Sequence, residues 1–360
     1  MASAQDQQDH FDRLPDAILL VIFNKLHDGQ SLCRSKAVCK RFGSIIPQII
    51  TISVAIPRRN INDGILVKNK ESKVSSDQDS KPADGKPKKT LLKRVINSVV
   101  LRPLQLLTRF VLRKSSDASS CSCDDEFSLH SPNEILKGFD EIRSLSLELP
   151  GHGSDIGSSD GGVLLKWNAK FGSELKSCVI LGATSCEESD NSAEDAAPDS
   201  NFNDEDLKLR VVWTISCLIA ASSRHHLLQK LVPEHRLLEN AAITDAGKQG
   251  RIRMVKEEIE ELRSSTEANE EAAAERSRVP ALRMKMWHVP ELELQGSGRV
   301  MKGATLVVIR PVGEKKRAEK DGELVMGAFG DGGEEEKVLG EAVRKMMKKK
   351  KTCTLEMNSF

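Results

Sequence analysis

The sequence predicts an α+β protein, in which a small all-α unit at the N-terminus precedes an α/β domain with disordered insertions. Two observations carry this prediction. Residues 14–48 show the apolar spacing of helices, whereas several later segments alternate apolar and polar residues as strands do. Between those segments lie stretches of Ser, Lys, Asp, Glu, Gly and Pro, which cannot bury enough apolar surface to offset chain entropy.

The first helix is predicted over residues 14–26. Pro15 suits a first turn, where its missing N–H would have no partner, and Asp16 complements the helix dipole. One apolar row follows at a spacing of four residues, and a neighbouring row lies beside it: Leu14, Ile18, Ile22 and Leu26, then Leu19 and Phe23. Because the run from Ala17 to Phe23 is entirely apolar, the helix has more apolar surface than its own core needs.

A second helical stretch follows at residues 31–49, and Gly29 is expected to end the first helix. Val38, Cys39 and Phe42 are among its apolar positions, and Lys and Arg occupy the positions predicted to face solvent. A helical unit of about 40 residues buries little surface and is only marginally stable alone. We therefore expect the surplus apolar face to contact a partner.

The stretch "FDRLPDAILLVIFNKLHDGQSLCRSKAVCKRF" resembles an F-box, the adaptor-binding motif of substrate receptors in SCF-type ubiquitin ligases. The Leu-Pro opening, the Ile-Leu-x-x-Ile-Phe-x-x-Leu helix and the closing Val-Cys-Lys-Arg-Phe carry the resemblance. It implies a small helical bundle that docks on a Skp-type adaptor and, through it, on cullin and RING subunits. The adaptor contacts that it implies are Leu14, Pro15, Ile18, Leu19, Ile22, Phe23, Leu26, Val38, Cys39 and Phe42.

Two residues depart from the family pattern. Ala17 stands where an acid is common, and Phe42 stands where Trp is common. Both changes keep the surface apolar, so the resemblance to an F-box holds. They lower the affinity for the adaptor that we expect. The alternative is an ordinary helical hairpin that packs on the chain's own C-terminal domain.

Composition divides the chain into further units. The predicted units are an F-box at 9–56, a disordered linker at 57–90, a basic amphipathic helix at 91–114, a spacer at 115–131 and an α/β substrate-binding domain at 132–360. Within that domain we expect disordered insertions near 186–206, 264–278 and 313–337.

The basic segment has two interpretations. Residues 81–114 hold ten Lys or Arg and one acid, and apolar residues form one face of the helical pattern. A helix that lies on a membrane surface fits this description. A helix packed on the following domain, with its lysines in water, fits it as well and is favoured.

A weak internal repeat suggests how the C-terminal domain is built. "IRSLSLEL", "LKSCVIL" and "LENAAIT" share one pattern, and helices are predicted before the last two, at "GGVLLKWNAKFG" and "LKLRVVWTISCLIAASSRHHLLQKLV". This resembles a degenerate leucine-rich-repeat solenoid, whose strands would line a concave sheet. An α/β domain without a true repeat is the alternative. Further strands are predicted at "ALRMKMWHVPELEL" and "GATLVVIRP". Five blocks together resemble one group of plant F-box proteins: "IRSLSLELPG", "GVLLKWNAKFG", "SCVILGA", "LKLRVVWTISCLIAASSRHHLLQ" and the ending "LEMNSF".

The sequence contains no recognisable catalytic motif. His225, His226 and His235 do not converge on one helix face, and Cys121-x-Cys123 has no second cysteine pair at zinc spacing, so no metal or cofactor is expected. Trp167, Trp213 and Trp287 are predicted to be core anchors.

Charge and cysteine content favour a place in the nucleus or the cytoplasm. The net charge of +1 gives no reason to expect nucleic-acid binding, and eight scattered cysteines without a signal peptide indicate reduced thiols. "KMMKKKK" at 345–351 fits either a nuclear localisation signal or the wet flank of a last strand at "CTLEMNSF".

The sequence thus predicts a non-catalytic receptor subunit that holds an unidentified protein substrate for ubiquitination. Two alternatives remain open. One is a scaffold or peripheral membrane adaptor that carries an F-box but works outside the ligase, with membrane contact through the basic segment less favoured. The other is an enzyme whose chemistry leaves no pattern in the sequence.

Overall fold

A computed structural model describes residues 10–56, 135–150, 163–188, 204–268, 280–313, 319–329, 333–349 and 352–358. The helices of these residues are α1 (Asp16–Leu26), α2 (Gly29–Lys36), α3 (Lys40–Ile45), a 3-10 turn (Ile46–Gln48), α4 (Asp204–Glu234), α5 (Lys256–Ala268), α6 (Glu319–Phe329) and α7 (Glu334–Met347). Their strands are β1 (Thr51–Ala55), β2 (Ser144–Leu149), β3 (Leu164–Phe171), β4 (Leu175–Ala183), β5 (Ser185–Glu188), β6 (Asn240–Asp245), β7 (Gly250–Met254), β8 (Leu282–Leu294), β9 (Arg299–Pro311) and β10 (Cys353–Met357).

The α+β class is confirmed: helices come first, and a mixed sheet follows. Within the described residues the ten strands form one sheet in the order β1-β2-β6-β7-β3-β4-β9-β8-β10, with β5 beside β9. Neighbouring strands in this order are often far apart in the sequence. Register pairs join Ile52 to Leu145 and Leu145 to Ala241, both in parallel.

The N-terminal helices are short because specific residues end and begin them. His27 takes a left-handed conformation, with φ of 53°, and closes α1. Asp28 then caps α2 by accepting a 2.9 Å hydrogen bond from the backbone N–H of Ser31. Gly29 therefore begins α2 and does not end α1, contrary to the sequence prediction.

The first strand joins the N-terminal unit to the large sheet. β1 lies inside the predicted F-box range 9–56, yet it forms the edge of the large sheet beside β2. A methyl group on Gly29 would lie 3.0 Å from Ile135, 3.1 Å from Val54 and 3.3 Å from Ile52, so α2 packs tightly against this edge. The helices and the sheet thus share one core.

The predicted repeat holds for two of its three segments only. "IRSLSLEL" and "LENAAIT" do supply adjacent parallel strands, β2 and β6. The third segment forms β4, which pairs antiparallel with both β3 and β9 in the middle of the sheet. A solenoid needs parallel strands in sequence order, so the C-terminal domain is a mixed sheet instead.

Two further predictions in this domain are wrong. "GGVLLKWNAKFG" forms strand β3 and not a helix, because the segment is buried on both sides for most of its length. The expected insertion at 313–337 contains α6 and the start of α7, and Val325 and Phe329 of α6 are buried.

The other predicted elements agree with the structure. The long helix, the two late strands and the last strand are α4, β8, β9 and β10. Trp167, Trp213 and Trp287 are buried, as expected of core anchors.

The described helices cover the two faces of the sheet unequally. The N-terminal helices, α4 and α5 pack on one face and form the larger core. On the other face, α6 and α7 form a second core with β4, β8 and β9. The outward residues of β1, β2 and β6 on that face are half-buried or exposed.

Several predictions concern residues outside the described ranges. These are the linker at 57–90, the basic helix at 91–114, the spacer at 115–131 with Cys121 and Cys123, and most of the insertions at 186–206 and 264–278.

Candidate functional site

The first helix presents two apolar faces with different environments. Leu19 and Phe23 point inward and are 0% and 5% exposed. The Phe23 ring packs edge-on against Phe42, with 5.0 Å between ring centroids. These two side chains are therefore core residues, and their prediction as adaptor contacts is wrong, because no partner can reach them while the bundle is folded.

The outer face of α1 is apolar and exposed. We call it the outer α1 surface and define it by residues on one side of the helix: Ile18, Val21, Ile22 and Leu26. Their exposed fractions are 47%, 53%, 37% and 49%. Burying a side chain of this size against a partner stabilises a complex by roughly 1.5–3 kcal/mol. A contiguous exposed apolar patch of this kind is typical of a protein-binding surface.

Side chains from the second helical stretch extend the exposed apolar area. Val38 is 71% exposed, the largest fraction among the exposed large apolar residues of the described chain. Pro15 and Cys39 are exposed, and Leu14 and Phe42 are partly buried. Eight of the ten predicted contact residues are thus accessible from solvent, and their contact with an adaptor stays a prediction.

Arg41 fixes the start of α1 against α3. Its guanidinium donates to the Asp16 carboxylate at 2.8 Å and to the Phe11 carbonyl at 2.9 Å, and it also donates to the Leu14 carbonyl. Cys39 caps the N-terminus of α3, and its Sγ accepts a 3.4 Å hydrogen bond from the Phe42 N–H. These bonds hold the Leu-Pro opening and the last turn of the bundle in one arrangement.

Asp28 anchors the junction between α1 and α2. Burial alone would raise the pKa of its carboxyl, but hydrogen bonds from Ser31 and from the Gln30 backbone outweigh burial and lower that pKa. The charged form of this cap is therefore favoured.

The predicted list of adaptor contacts omitted two exposed residues, Phe11 and Val21. Phe11 is 47% exposed, and its ring lies edge-on to Phe42 with 5.9 Å between centroids. Val21 lies in the middle of the outer α1 surface. The signal for Val21 was present in the apolar run from Ala17 to Phe23, which a one-sided helix does not need.

The polar groups buried in the sheet domain are used for packing. Arg224 contacts Asp245 at 2.7 Å, donates to the Gly250 carbonyl and lies over the Trp167 ring at 4.6 Å. His225 stacks on Phe171 with 4.3 Å between centroids, and burial lowers its pKa to about 4. The neutral, stacked imidazole and the closed ion pair thus both hold the sheet domain together.

Neither a metal centre nor a membrane-spanning helix occurs in the part of the chain that the structure describes. No three His, Cys, Asp or Glu side chains come together there in a way that could hold a metal ion. In those same residues no helix combines the length and the apolar character needed to cross a bilayer.

Comparison with known proteins places this architecture in a class. A family model described as F-box-like matches residues 11–49. The chain is 40% identical to F-box protein At4g18380 and to F-box protein At5g46170 of Arabidopsis thaliana, and each match covers 98% of the chain and 94% of the relative. It is 36% identical to F-box protein AUF2 of the same plant, over 98% of the chain and all of that relative.

These matches extend far beyond the N-terminal helices, because they cover nearly the whole chain. No solved structure matches it. The chain belongs to the family of plant F-box proteins, as the N-terminal motif and the later sequence blocks had together indicated.

Proposed function

We propose that this chain is the substrate-recognition subunit of an SCF-type ubiquitin ligase. In this proposal the outer α1 surface binds a Skp-type adaptor, and the sheet domain binds the protein to be ubiquitinated. The proposed adaptor contacts are Leu14, Pro15, Ile18, Val21, Ile22, Leu26, Val38, Cys39 and Phe42.

The observation that supports the proposal best is the exposed apolar face of α1. A short helix that already buries Leu19 and Phe23 has no structural need for four more exposed apolar side chains on its other side. Membership in the F-box family supplies the kind of partner, since F-box proteins generally bind a Skp-type adaptor.

The proposed work of the subunit is positional. A receptor of this kind raises the effective concentration of a substrate lysine near the ubiquitin-conjugating enzyme, so it needs no catalytic residues of its own. We place it in the nucleus or the cytoplasm, because reduced thiols are usual in those compartments.

The test is capture of purified adaptor and cullin by the full chain. The variant Val21→Asp/Ile22→Asp places charge on the outer α1 surface and is expected to capture neither. The matched control is Ile215→Asp/Leu237→Asp, which places the same charges on apolar residues that are 39% and 48% exposed in the sheet domain, and it is expected to capture both.

Two results would change the proposal. Equal capture by both variants would contradict the assignment of the binding surface. Capture of the adaptor without the cullin would support the alternative of an F-box scaffold that acts outside the ligase.

A further inference from the structure

On the face of the sheet where α6 and α7 pack, the described helices leave the strands β1, β2, β6 and β7 uncovered. Along one row of that face the register aligns four residues on adjacent strands: Ser53, Ser146, Ala242 and Arg253. The first three are half-buried and small, and Arg253 is exposed. We call the outward side of β1, β2, β6 and β7, together with the end of β3, the open sheet face.

The border of this face is clear at β3. Lys166 forms a 2.7 Å ion pair with Glu335 at the start of α7, and the Asn168 amide lies 3.5 Å from the Ala328 carbonyl of α6. Two residues further along β3, Lys170 is exposed. The helical cover therefore ends at β3, and β7, β6, β2 and β1 follow without cover from the described helices.

Three cations lie together beside that border. Arg251 and Arg253 are exposed neighbours on one side of β7, and Lys170 lies on the adjacent strand, one residue beyond the register pair of Ala169 and Ile252. Residues so placed are separated by roughly 5–7 Å. Among the described residues none of the three has an ion-pair or hydrogen-bond partner, although like charges so close together repel.

The only acid among the outward residues of these described strands is Glu148. It pairs in register with Thr244, which pairs with Arg251, so two strand spacings of about 4.8 Å separate the carboxylate position from that arginine. At such a separation solvent and salt screen most of the attraction between exposed charges. Within the described ranges, the charge of the three cations is thus largely uncompensated.

We propose that the open sheet face binds an acidic segment of a protein partner, with Arg251, Arg253 and Lys170 contacting its Asp and Glu carboxylates. Arginine can bind a carboxylate through two parallel hydrogen bonds, which gives such a contact direction. Ser53, Ser146 and Ala242 are half-buried and have small side chains, so an extended segment could lie close to the strands.

Charge and extent favour a protein segment over other anions. Nucleic acids and anionic membranes are bound by broad basic surfaces that contact many phosphates. A surface with three cations and one acid matches a short acidic protein segment better than it matches a nucleic acid or a membrane. The inference rests on the proposed function for one point only, namely that this partner is the protein presented for ubiquitination.

The experiment measures binding of a fluorescent peptide of alternating Glu and Ser to the full chain by anisotropy. The test variant is Lys170→Gln/Arg251→Gln/Arg253→Gln. The matched control, Lys230→Gln/Arg236→Gln/Lys256→Gln, removes the same charge from exposed positions on α4, the turn after it and α5. A peptide of alternating Gln and Ser reports binding that does not depend on charge.

We expect the test variant to bind the acidic peptide about tenfold more weakly, the loss that several exposed ion pairs of ordinary strength would produce together. The control variant should bind it as the unchanged chain does. Glu148→Gln should bind it about twofold more tightly, because the Glu148 carboxylate repels the acidic peptide and the variant lacks it. Added salt should weaken binding to the unchanged chain.

Three outcomes would overturn the inference: absence of binding, equal binding by the test and control variants, or equal binding of the neutral peptide. Binding of RNA or of phosphatidylserine vesicles through the same three residues, without binding of the peptide, would overturn it too. Adaptor capture is measured on the same samples. Normal capture with failed peptide binding rejects this inference alone, whereas failed capture with normal peptide binding rejects the proposed function alone.

Discussion

The N-terminal helices and the sheet are built from contacts of different range. Within the helices, Phe23 meets Phe42 and Arg41 bonds to Asp16, so the partners lie within one short stretch of chain. Within the sheet, β1 pairs with β2 and β2 pairs with β6, which joins residues 51, 144 and 240 in one row. Local contacts leave a motif in the sequence, whereas distant pairings do not.

The two regions also differ in what they bury. The helices bury apolar side chains and leave other apolar side chains exposed. The sheet domain buries charged and polar groups, among them Arg224, Asp245 and His225, while its open face carries small polar and basic residues. The first region therefore depends on apolar surface, and the second depends on internal ion pairing as well.

The largest expected effect comes from breaking the buried ion pair of the sheet domain. Asp245→Ala would leave the Arg224 guanidinium, which is almost fully buried, without its carboxylate and would also remove acceptors for the Gln249 and Gly250 N–H groups. We expect a loss of about 3–5 kcal/mol in the free energy of unfolding, measured with denaturant. A loss below about 1 kcal/mol would mean that the pair is not needed to hold β6 and β7 against α4.

The next effect distinguishes the two faces of α1. Leu19→Ala should lower the free energy of unfolding by about 2–5 kcal/mol, because it leaves a cavity in the core. Ile22→Ala on the exposed face should change it by less than about 0.5 kcal/mol. Similar losses for the two variants in thermal or denaturant unfolding would show that the outer surface of α1 is packed within the chain after all.

A smaller effect tests whether the helices and the sheet form one core. Gly29→Ala adds a methyl group that would lie 3.0–3.3 Å from side chains of Ile135, Val54 and Ile52. The crowding should destabilise the protein by about 1–3 kcal/mol, although alanine usually favours a helix. Unchanged or increased stability would show that α2 can move freely on the sheet edge.

The smallest of these effects appears with pH and is confined to the sheet domain. Burial first, and the nearby His226 charge second, lower the pKa of His225 from 6.5 to about 4 against the opposing hydrogen bond to the Gly172 carbonyl. As the pH falls from 6.5 to about 4, His225 binds a proton in the unfolded chain before it does so in the folded chain. The free energy of unfolding therefore decreases over this pH range.

His225→Phe should therefore reduce the loss of stability between about pH 7 and pH 5 by roughly 1–2 kcal/mol. The measurement is denaturant unfolding of both proteins at each pH, and it compares only the change with pH, since the variant also loses the hydrogen bond to Gly172. An identical change with pH in both proteins would show that His225 is not the group responsible.

The sequence alone predicted the helical region well and the sheet only in outline. Leu14 to Phe42 formed an ordered motif that named the family, and apolar periodicity located α4, β8 and β9. It could not show that Leu19 and Phe23 face inward while Ile18 and Ile22 face outward. All four residues are apolar, and their spacing does not tell which side of the helix faces the core.

The strand order was out of reach for a different reason. β3 lacks alternation because both of its faces are buried, so its pattern fits a helix as well as a strand. The apparent repeat combined β2 and β6, which are true parallel neighbours, with β4, which has antiparallel neighbours. The open sheet face had no sequence signal either, since Arg251, Arg253 and Lys170 come together only through pairing of β7 with β3.

The central claim is that the exposed face of α1 binds the adaptor while the buried face holds the fold. The most direct test is titration calorimetry of a Skp-type adaptor into the full chain and into Ile18→Ala/Ile22→Ala/Leu26→Ala. We predict that the triple variant binds at least about 100-fold more weakly, with its free energy of unfolding within about 1 kcal/mol of the unchanged chain. An affinity within about twofold of the unchanged chain would contradict the claim.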